Sequence, residues 1–259
     1  MLFRSILALI GMIYANKGDR TSALRMTDSA LSISKDEKTL EYAAKVYEIA
    51  GAYKRSYETY RQGLINTGKT DTIIISAMQR NYRLWKGDLK GWDQEYTAVL
   101  TSKREKLTGE LRLQQLHAKA PSLDSIVDLK GKAVSPASLK GKVLIIDFWA
   151  TWCVPCMEEM PYLQKVYDVY KNDPRVAFMV INSEARNTLK DAQGWFGNKK
   201  YSFPVYFHTN PNVGDIFGFN VIPATYVIDR EGMLQFKSIG FEGPEVEEKL
   251  KAEIGLLLK

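Results

Sequence analysis

The sequence predicts two domains of different class: an all-α region followed by an α/β domain with a central sheet flanked by helices. Three observations carry this. Residues 1–118 contain no proline and repeat apolar positions at three- and four-residue spacing. From about residue 119 short apolar runs alternate with helical stretches, the pattern of a sheet covered by helices. The chain's only two cysteines, Cys153 and Cys156, fall in FWATWCVPCMEEMP, where a strand pattern passes into a helical one. With 259 residues the chain is long enough for both domains, 1–118 and 119–259.

The helical region repeats. GDRTSALRMTDSAL (18–31) and GAYKRSYETYRQGL (51–64) align at an offset of 33 residues, so that Gly18 matches Gly51, Ala23 matches Ser56 and Leu31 matches Leu64. Ile73-Ile74-Ile75 is the one β-rich run in an otherwise helical pattern. A third, degenerate copy is expected through Tyr82, Gly87, Trp92, Tyr96 and Leu100. The opening MLFRSILALIGMIYAN has the charge and apolar run of a secretory leader over residues 1–15. The repeat register instead reads it as the first helix, using Leu7, Ile10, Gly11 and Tyr14.

In the second half, AKAPSLDSIVDLKGKAVSPASLKGK reads as a hairpin feeding a strand. The strand itself, Val143 to Phe148, is nearly continuously apolar, as burial on both faces requires. A helix from about Cys153 to Tyr170, a strand over Val176–Ile181 and a helical stretch near 187–197 follow. Next come a strand over Pro204–Phe207, a short helix around Asp215–Phe217, a hairpin over Thr225–Ile239 and a closing helix over Glu245–Leu258.

Composition narrows the classes of function. Two cysteines cannot staple a disulfide-rich scaffold. No run reaches the length of a membrane-spanning helix. The net charge of +6 belongs wholly to the first half, which has 19 Lys and Arg against 13 Asp and Glu; residues 119–259 have 17 of each. Those cations are spread over helical faces, so the expectation is a solvated surface and no nucleic-acid partner.

The cysteines sit where a thiol is easily ionised. At a helix N-terminus unpaired N–H groups and the positive end of the dipole favour thiolate over thiol. Thiolate is the attacking species in disulfide exchange, which makes Cys153 the nucleophile. Cys156, one turn later, is placed to resolve the mixed disulfide. Pro155 lies early in the helix, where its missing N–H costs little. Three other readings rank lower. Zinc needs four ligands, and only His117 and His208 are present to supplement the cysteines. A copper carrier wants a longer Cys–Cys spacing with a matching His, and inert core cysteines do not account for Trp-Cys-x-Pro-Cys. No metal is expected, and no cofactor beyond the redox-active cysteine pair.

Two resemblances sharpen these expectations. The 33-residue period, with small residues where helices approach, resembles the tetratricopeptide repeat. In the second copy Leu40, Ala43, Ala44, Tyr47, Gly51, Tyr53, Ser56, Tyr60 and Gly63 fall on its pattern. Such stacked pairs leave a concave surface suited to a peptide or protein ligand. Segments LKGKVLIIDFWATWCVPCMEEMPYLQKVY, FPVYF and FNVIPATYVIDREG, in that order, resemble the TlpA/ResA-like thiol–disulfide oxidoreductases of the thioredoxin fold. The entry hairpin at residues 128–135 suits that group better than a minimal thioredoxin.

That resemblance assigns roles. Pro223 matches the family's cis-proline facing the cysteines, and it would leave the Ile222 backbone free to pair with an extended substrate. Trp149 and Trp152 match the flanking aromatics, and Pro161 the proline that kinks the active-site helix. Trp152, Val154, Pro155, Ile222 and Pro223 would then form the substrate-binding surface. Asp147 matches the buried acid beneath the cysteines in thioredoxin. In an apolar strand its carboxyl should have a raised pKa, suited to exchanging a proton with Cys156. Glu159 matches the active-site glutamate of the TlpA/ResA-like group, while Glu158 reads as an acid favoured by the helix dipole. Carrying both Asp147 and Glu159 departs from the commoner pattern.

The resemblance implies protein-disulfide reduction outside the bacterial cytoplasmic membrane, in the periplasm and in some relatives with a membrane tether. The partners would be disulfide-containing proteins and an upstream thiol reductase. The Val-Pro dipeptide gives Cys153 no histidine to stabilise its thiolate, which favours a reductant over a disulfide oxidase or isomerase. A helical-repeat scaffold with an auxiliary redox domain is the reading from another class. No Pro-x-x-x-Thr-x-x-Cys segment is present, which disfavours a peroxidase.

Overall fold

The computed structural model describes residues 2–67, 72–134, 136–183, 186–197 and 199–259. The chain divides into two compact units, residues 1–107 and 108–259, with the division inside a long helix.

The first unit is built from α1 (Leu2–Asn16), α2 (Arg20–Ile33), α3 (Glu37–Ile49), α4 (Tyr53–Thr67), α5 (Thr72–Lys86) and α6 (Trp92–Gln114), the last of which runs on into the second unit. The glycines that align at the 33-residue offset do the same work. Gly18 and Gly51 both have positive φ, 80° and 70°. Each closes its helix with the same pair of bonds: Gly18 N–H to Ala15 and Asp19 N–H to Tyr14, then Gly51 N–H to Glu48 and Ala52 N–H to Tyr47. This left-handed cap satisfies carbonyls that a helix end leaves orphaned, and a Cβ there would be strained. Gly87 turns the third pair with φ 92°. Asp19 and Asp36 cap the following helices by accepting from Ser22 N–H at 3.0 Å and Thr39 N–H at 2.9 Å.

Small residues let these helices approach. Ala23, Ala30, Ala43, Ala44 and Ser56 are all fully buried, and Ser56 Oγ donates to the Ala44 carbonyl at 2.8 Å. The Ile73–Ile75 run is helical, inside α5. Ile74 and Ile75 pack against the core of Tyr57, Tyr60, Leu64 and Tyr82, so tertiary packing overrides their β preference. Residues 2–16, legible as leader or helix, form α1, with Ala8 and Ala15 buried. No described helix is long and apolar enough to cross a membrane.

The second unit is a seven-stranded mixed sheet. Its strands are β1 (Ala118–Lys119), β2 (Ile126–Asp128), β3 (Val143–Trp149), β4 (Val176–Asn182), β5 (Val205–His208), β6 (Ala224–Ile228) and β7 (Met233–Ile239). They lie in the order β1-β7-β6-β3-β4-β5-β2. The helices are α7 (Val154–Tyr170), α8 (Leu189–Gly197), α9 (Val213–Phe217) and α10 (Val246–Leu257). This is the thioredoxin fold: β3, β4 and β5 run parallel, and β6 and β7 return antiparallel on the other side of β3. The expected entry hairpin turns at Asp128, whose N–H donates to the Lys132 carbonyl at 2.9 Å; residue 135 of that expectation lies outside the described residues.

Every residue of β3 is buried. Leu144, Ile146 and Phe148 point into one core with Met179, Phe217 and Tyr226. By alternation Val143, Ile145, Asp147 and Trp149 take the opposite face. There α7 and α10 pack together, joined by Tyr170 Oη donating to the Lys251 carbonyl at 3.2 Å.

Gly11 and Gly63 test the helix packing of the first unit with opposite signs. A Cβ on Gly11 would stand 2.7 Å from Thr27 Oγ1 and 3.3 Å from the Ala23 carbonyl oxygen. On Gly63 it would meet only Leu40 Cβ, at 3.9 Å. Gly11→Val is therefore expected to destabilise the helical unit by about 1–3 kcal/mol. Gly63→Ala should stabilise it by about 0.5–1 kcal/mol. Thermal unfolding followed by far-ultraviolet circular dichroism checks both.

Candidate active site

The apolar run of β3 delivers the chain to Trp149 at the end of this central strand, and a short turn follows in which Cys153 N–H donates to the Ala150 carbonyl at 3.1 Å. Cys153 is the N-cap of α7. Its sulfur takes the place a Ser or Asp oxygen would fill, accepting from Cys156 N–H at 3.2 Å. Val154 and Pro155 form the first turn, and Pro161 lies inside the helix. Cys153 and Cys156 are joined as a disulfide.

The surface residues named from sequence come together around that disulfide. The Ile222–Pro223 peptide bond is cis, and the Ile222 carbonyl oxygen stands 3.6 Å from Cys153 Sγ. Pro223 is buried, with its carbonyl accepting from Gly240 N–H at 2.7 Å. Trp152 is 49% exposed and Val154 66%, an apolar rim beside a disulfide whose cysteines are only 2–3% exposed. Val221, also exposed, extends the rim next to Ile222.

Sequence reasoning missed the clamp that holds this rim. Asn187 is buried and grips the turn from both sides: its Oδ1 accepts from Thr151 N–H at 2.7 Å, and its Nδ2 donates to Thr151 Oγ1 at 2.6 Å. Asn182 on β4 donates to the same Oδ1 at 3.3 Å. Beside it Arg186 lies over the Trp152 ring, 5.7 Å from its centroid. No local motif announces Asn187, because Thr151, the residue it grips, is 36 residues away.

His117 and His208 are remote from one another and from the cysteines in the sheet order. His117 precedes the edge strand β1, and His208 ends β5, beside the opposite edge strand. His208 Nδ1 accepts from Asn210 N–H at 3.2 Å.

Two acids, one on β3 and one on α7, are buried as neighbours. Asp147 is buried, and its Oδ1 accepts from Thr225 Oγ1 at 3.1 Å; Thr225 is its register partner on β6. Glu159, one turn past Cys156 on α7, is equally buried, and its Oε2 has no hydrogen-bond partner. Glu158, by contrast, is exposed. Burial pushes the Asp147 carboxyl well above the ordinary carboxylate range, with Thr225 opposing. Burial also raises Glu159, and the neighbouring Asp147 charge adds to the shift while Lys249 opposes it. Two neighbouring buried carboxyls cannot both ionise cheaply, so each holds its proton to higher pH than an exposed carboxyl does.

The same shifts set the pH dependence of stability. Each carboxyl binds its proton more tightly folded than unfolded, so the folded unit holds the extra protons above the ordinary carboxylate pKa. Their stabilisation is complete below that pKa and is lost as pH rises through the raised value. The protein should therefore be more stable at pH 5 than at pH 8. Glu159→Gln should flatten this profile and raise stability at pH 8, by about 1.4 kcal/mol for each pH unit of titration removed. Denaturant unfolding at a series of pH values measures it.

Comparisons with known proteins bear on the unit that carries the disulfide. The Redoxin family model matches residues 115–254. Among curated relatives, the thiol-disulfide oxidoreductase ResA of Bacillus anthracis is 30% identical over 131 residues, covering 51% of this chain and 73% of that protein. The thioredoxin-like protein YneN of Bacillus subtilis is 31% identical over 130 residues, covering 49% and 74%. A putative thioredoxin from Neisseria meningitidis, solved in solution, is 28% identical and covers 54% of this chain and 91% of its own, with a TM-score of 0.47. Family model and relatives fall on the unit that carries the disulfide, and the chain belongs to the redoxin family as a thiol–disulfide oxidoreductase of the ResA and thioredoxin-like kind.

Proposed function

We propose that the protein is a reductant for disulfides in extracytoplasmic protein partners, recharged by a separate thiol reductase. The observation that carries the disulfide-exchange chemistry is the Cys153 sulfur at the N-cap of α7, and the reductant direction rests on the residues between the cysteines. That sulfur receives a backbone N–H there, an arrangement that favours thiolate. The intervening residues are Val154 and Pro155, so no histidine charge is added between the cysteines to make the pair a strong oxidant.

Cys153 thiolate attacks a partner disulfide, breaking its S–S bond, forming a mixed disulfide and releasing one partner thiolate. Cys156 then gives its proton to the one carboxylate that the Asp147–Glu159 pair holds when one of the two acids is ionised, and its thiolate attacks Cys153 Sγ. That forms the Cys153–Cys156 disulfide and releases the second partner thiolate. Two electrons pass from the cysteine pair to the partner. Trp152, Val154 and Pro155 on one side, with Ile222 and Pro223 on the other, bracket the extended substrate. The half-buried Ile222 lies just outside β6 with its carbonyl beside the sulfur, which suits it to pairing with a substrate backbone.

The helix–glycine–helix unit repeated at 33 residues supports a tetratricopeptide-like assignment for the first unit, with a peptide or protein ligand. The periplasm is the compartment proposed, by likeness to the family. A second reading, a helical scaffold with an auxiliary redox unit, draws on this repeat, since about 100 residues have no part in the chemistry.

Cys156→Ser in the full chain should trap partners as mixed disulfides on Cys153, detected by diagonal gel electrophoresis. The reduction potential should lie near thioredoxin's, about −270 mV. A value near about −120 mV, that of strong disulfide oxidants, would reject the reductant assignment. If Cys153→Ser/Cys156→Ser retains the protein's full role in its host, the scaffold reading replaces this one.

A further inference from the structure

A third buried acid lies in the layer of Asp147 and Glu159, and neither sequence motif nor family comparison singles it out. Glu253 projects from α10 into the space beneath the active-site helix. It is 2% exposed, and its Oε1 has no hydrogen-bond partner. The strand register fixes what it faces. Asp147, Thr225 and Ser238 are partners across three adjacent strands, β3, β6 and β7, and so form a polar row on one sheet face. Glu159 from α7 and Glu253 from α10 come down over that row. One narrow cavity is lined by Glu159, Thr225, Ser238 and Glu253, and it also reaches Lys249 and Glu242. Its free interior is about 10 Å3, the room needed by the centre of one water molecule.

The outer end of the cavity meets solvent. Glu242, in the connection before α10, has its side chain 74% exposed and pairs with Lys249 at 3.7 Å. Lys249 Nζ in turn donates to Ser238 Oγ at 2.9 Å, so a cation closes the mouth while remaining hydrogen-bonded to the polar row. Glu159 and Glu253, each with an oxygen unpartnered among the described residues, thus line one cavity, with Asp147 as the acidic neighbour of the first and Glu242 that of the second.

We propose that Glu253 is the outward member of a buried proton path, in which the proton given up by Cys156 to Asp147 and Glu159 passes through Glu253 to the Glu242–Lys249 mouth. This rests on the proposed role of Asp147 and Glu159 as proton acceptors. For each pair oxidised, Cys156 loses one proton, the ionised member of the inner pair takes it up, ionised Glu253 then receives it across the cavity and restores the inner carboxylate, and solvent takes it from Glu253 at the mouth. Thiols, disulfide and electrons balance as in the exchange itself. Glu253 is tuned for such service. Burial raises its carboxyl to about 7, with Lys249 opposing and Glu242 reinforcing the shift. The groups around it are thus Glu159 on α7, Lys249 on its own helix and Glu242 before it, with Thr225 and Ser238 as neutral hydroxyls. In this scheme Glu253 is a proton-transfer residue acting through Glu159, one step removed from the reacting sulfurs.

Infrared difference spectroscopy of the full chain tests this. Spectra are taken near pH 7 before and after reduction by dithiothreitol, in water and in deuterium oxide. Protonated carboxyls that change with redox state appear as bands shifted by deuterium. Glu253→Gln is expected to lose one such band while retaining the others. Glu159→Gln should lose a different band, and Glu253→Asp should keep the outer band at a displaced frequency. A Glu253→Gln spectrum identical to the parent's, with bands lost in Glu159→Gln or Asp147→Asn, overturns the path and leaves the inner acids in place. No change in any of the three variants overturns the inner-acid reading and the path together. Equal thermal midpoints of Glu253→Gln and the parent at pH 5, where the glutamate is protonated, establish that the glutamine folds alike; unequal midpoints with the outer band retained in Glu253→Asp still support the path.

Discussion

The site depends on one substitution of atoms: a sulfur stands where a helix cap would ordinarily place an oxygen. Because Cys153 Sγ accepts the Cys156 N–H, the first turn of α7 and the redox pair are the same object. The helix cannot start elsewhere without separating the cysteines. It starts there because β3, buried along its whole length, delivers the chain to that point. The Asn187 amide then fixes the turn between strand and helix, and the Pro223 carbonyl, tied to Gly240, holds the opposing strand end against the sulfur.

A buried polar layer follows from that placement. A carboxyl in the middle of an apolar strand is costly unless it stays protonated or finds donors. Asp147 has one donor, Thr225, and its neighbours Glu159 and Glu253 each keep an unpartnered oxygen. Three acids with so few donors hold their protons to higher pH than exposed carboxyls do. The unit therefore sets stability against proton affinity, and what burial costs in one appears as a proton store in the other.

Much of this was legible in the sequence, for definite reasons. The strands and helices of the second unit follow from runs such as Val143–Phe148, whose uninterrupted apolarity suits a strand covered on both faces. Gly18 and Gly51 were visible as a repeat because only glycine takes a left-handed cap at no steric cost. The Ile73–Ile75 run misleads, since its β preference is overruled by packing in α5. Cys153, Cys156, Ile222 and Pro223 come together as their motifs suggest. Asn187, Thr225 and Glu253 were not legible, because each acquires meaning only through the register of β3 with β6 or the packing of α10, neither of which leaves a local mark.

The enclosure of the disulfide has a further consequence. With both sulfurs nearly hidden beneath the Trp152 and Val154 rim, a small free thiol finds little to strike. Contact with either sulfur is thereby governed by the shape of that rim before any potential is compared.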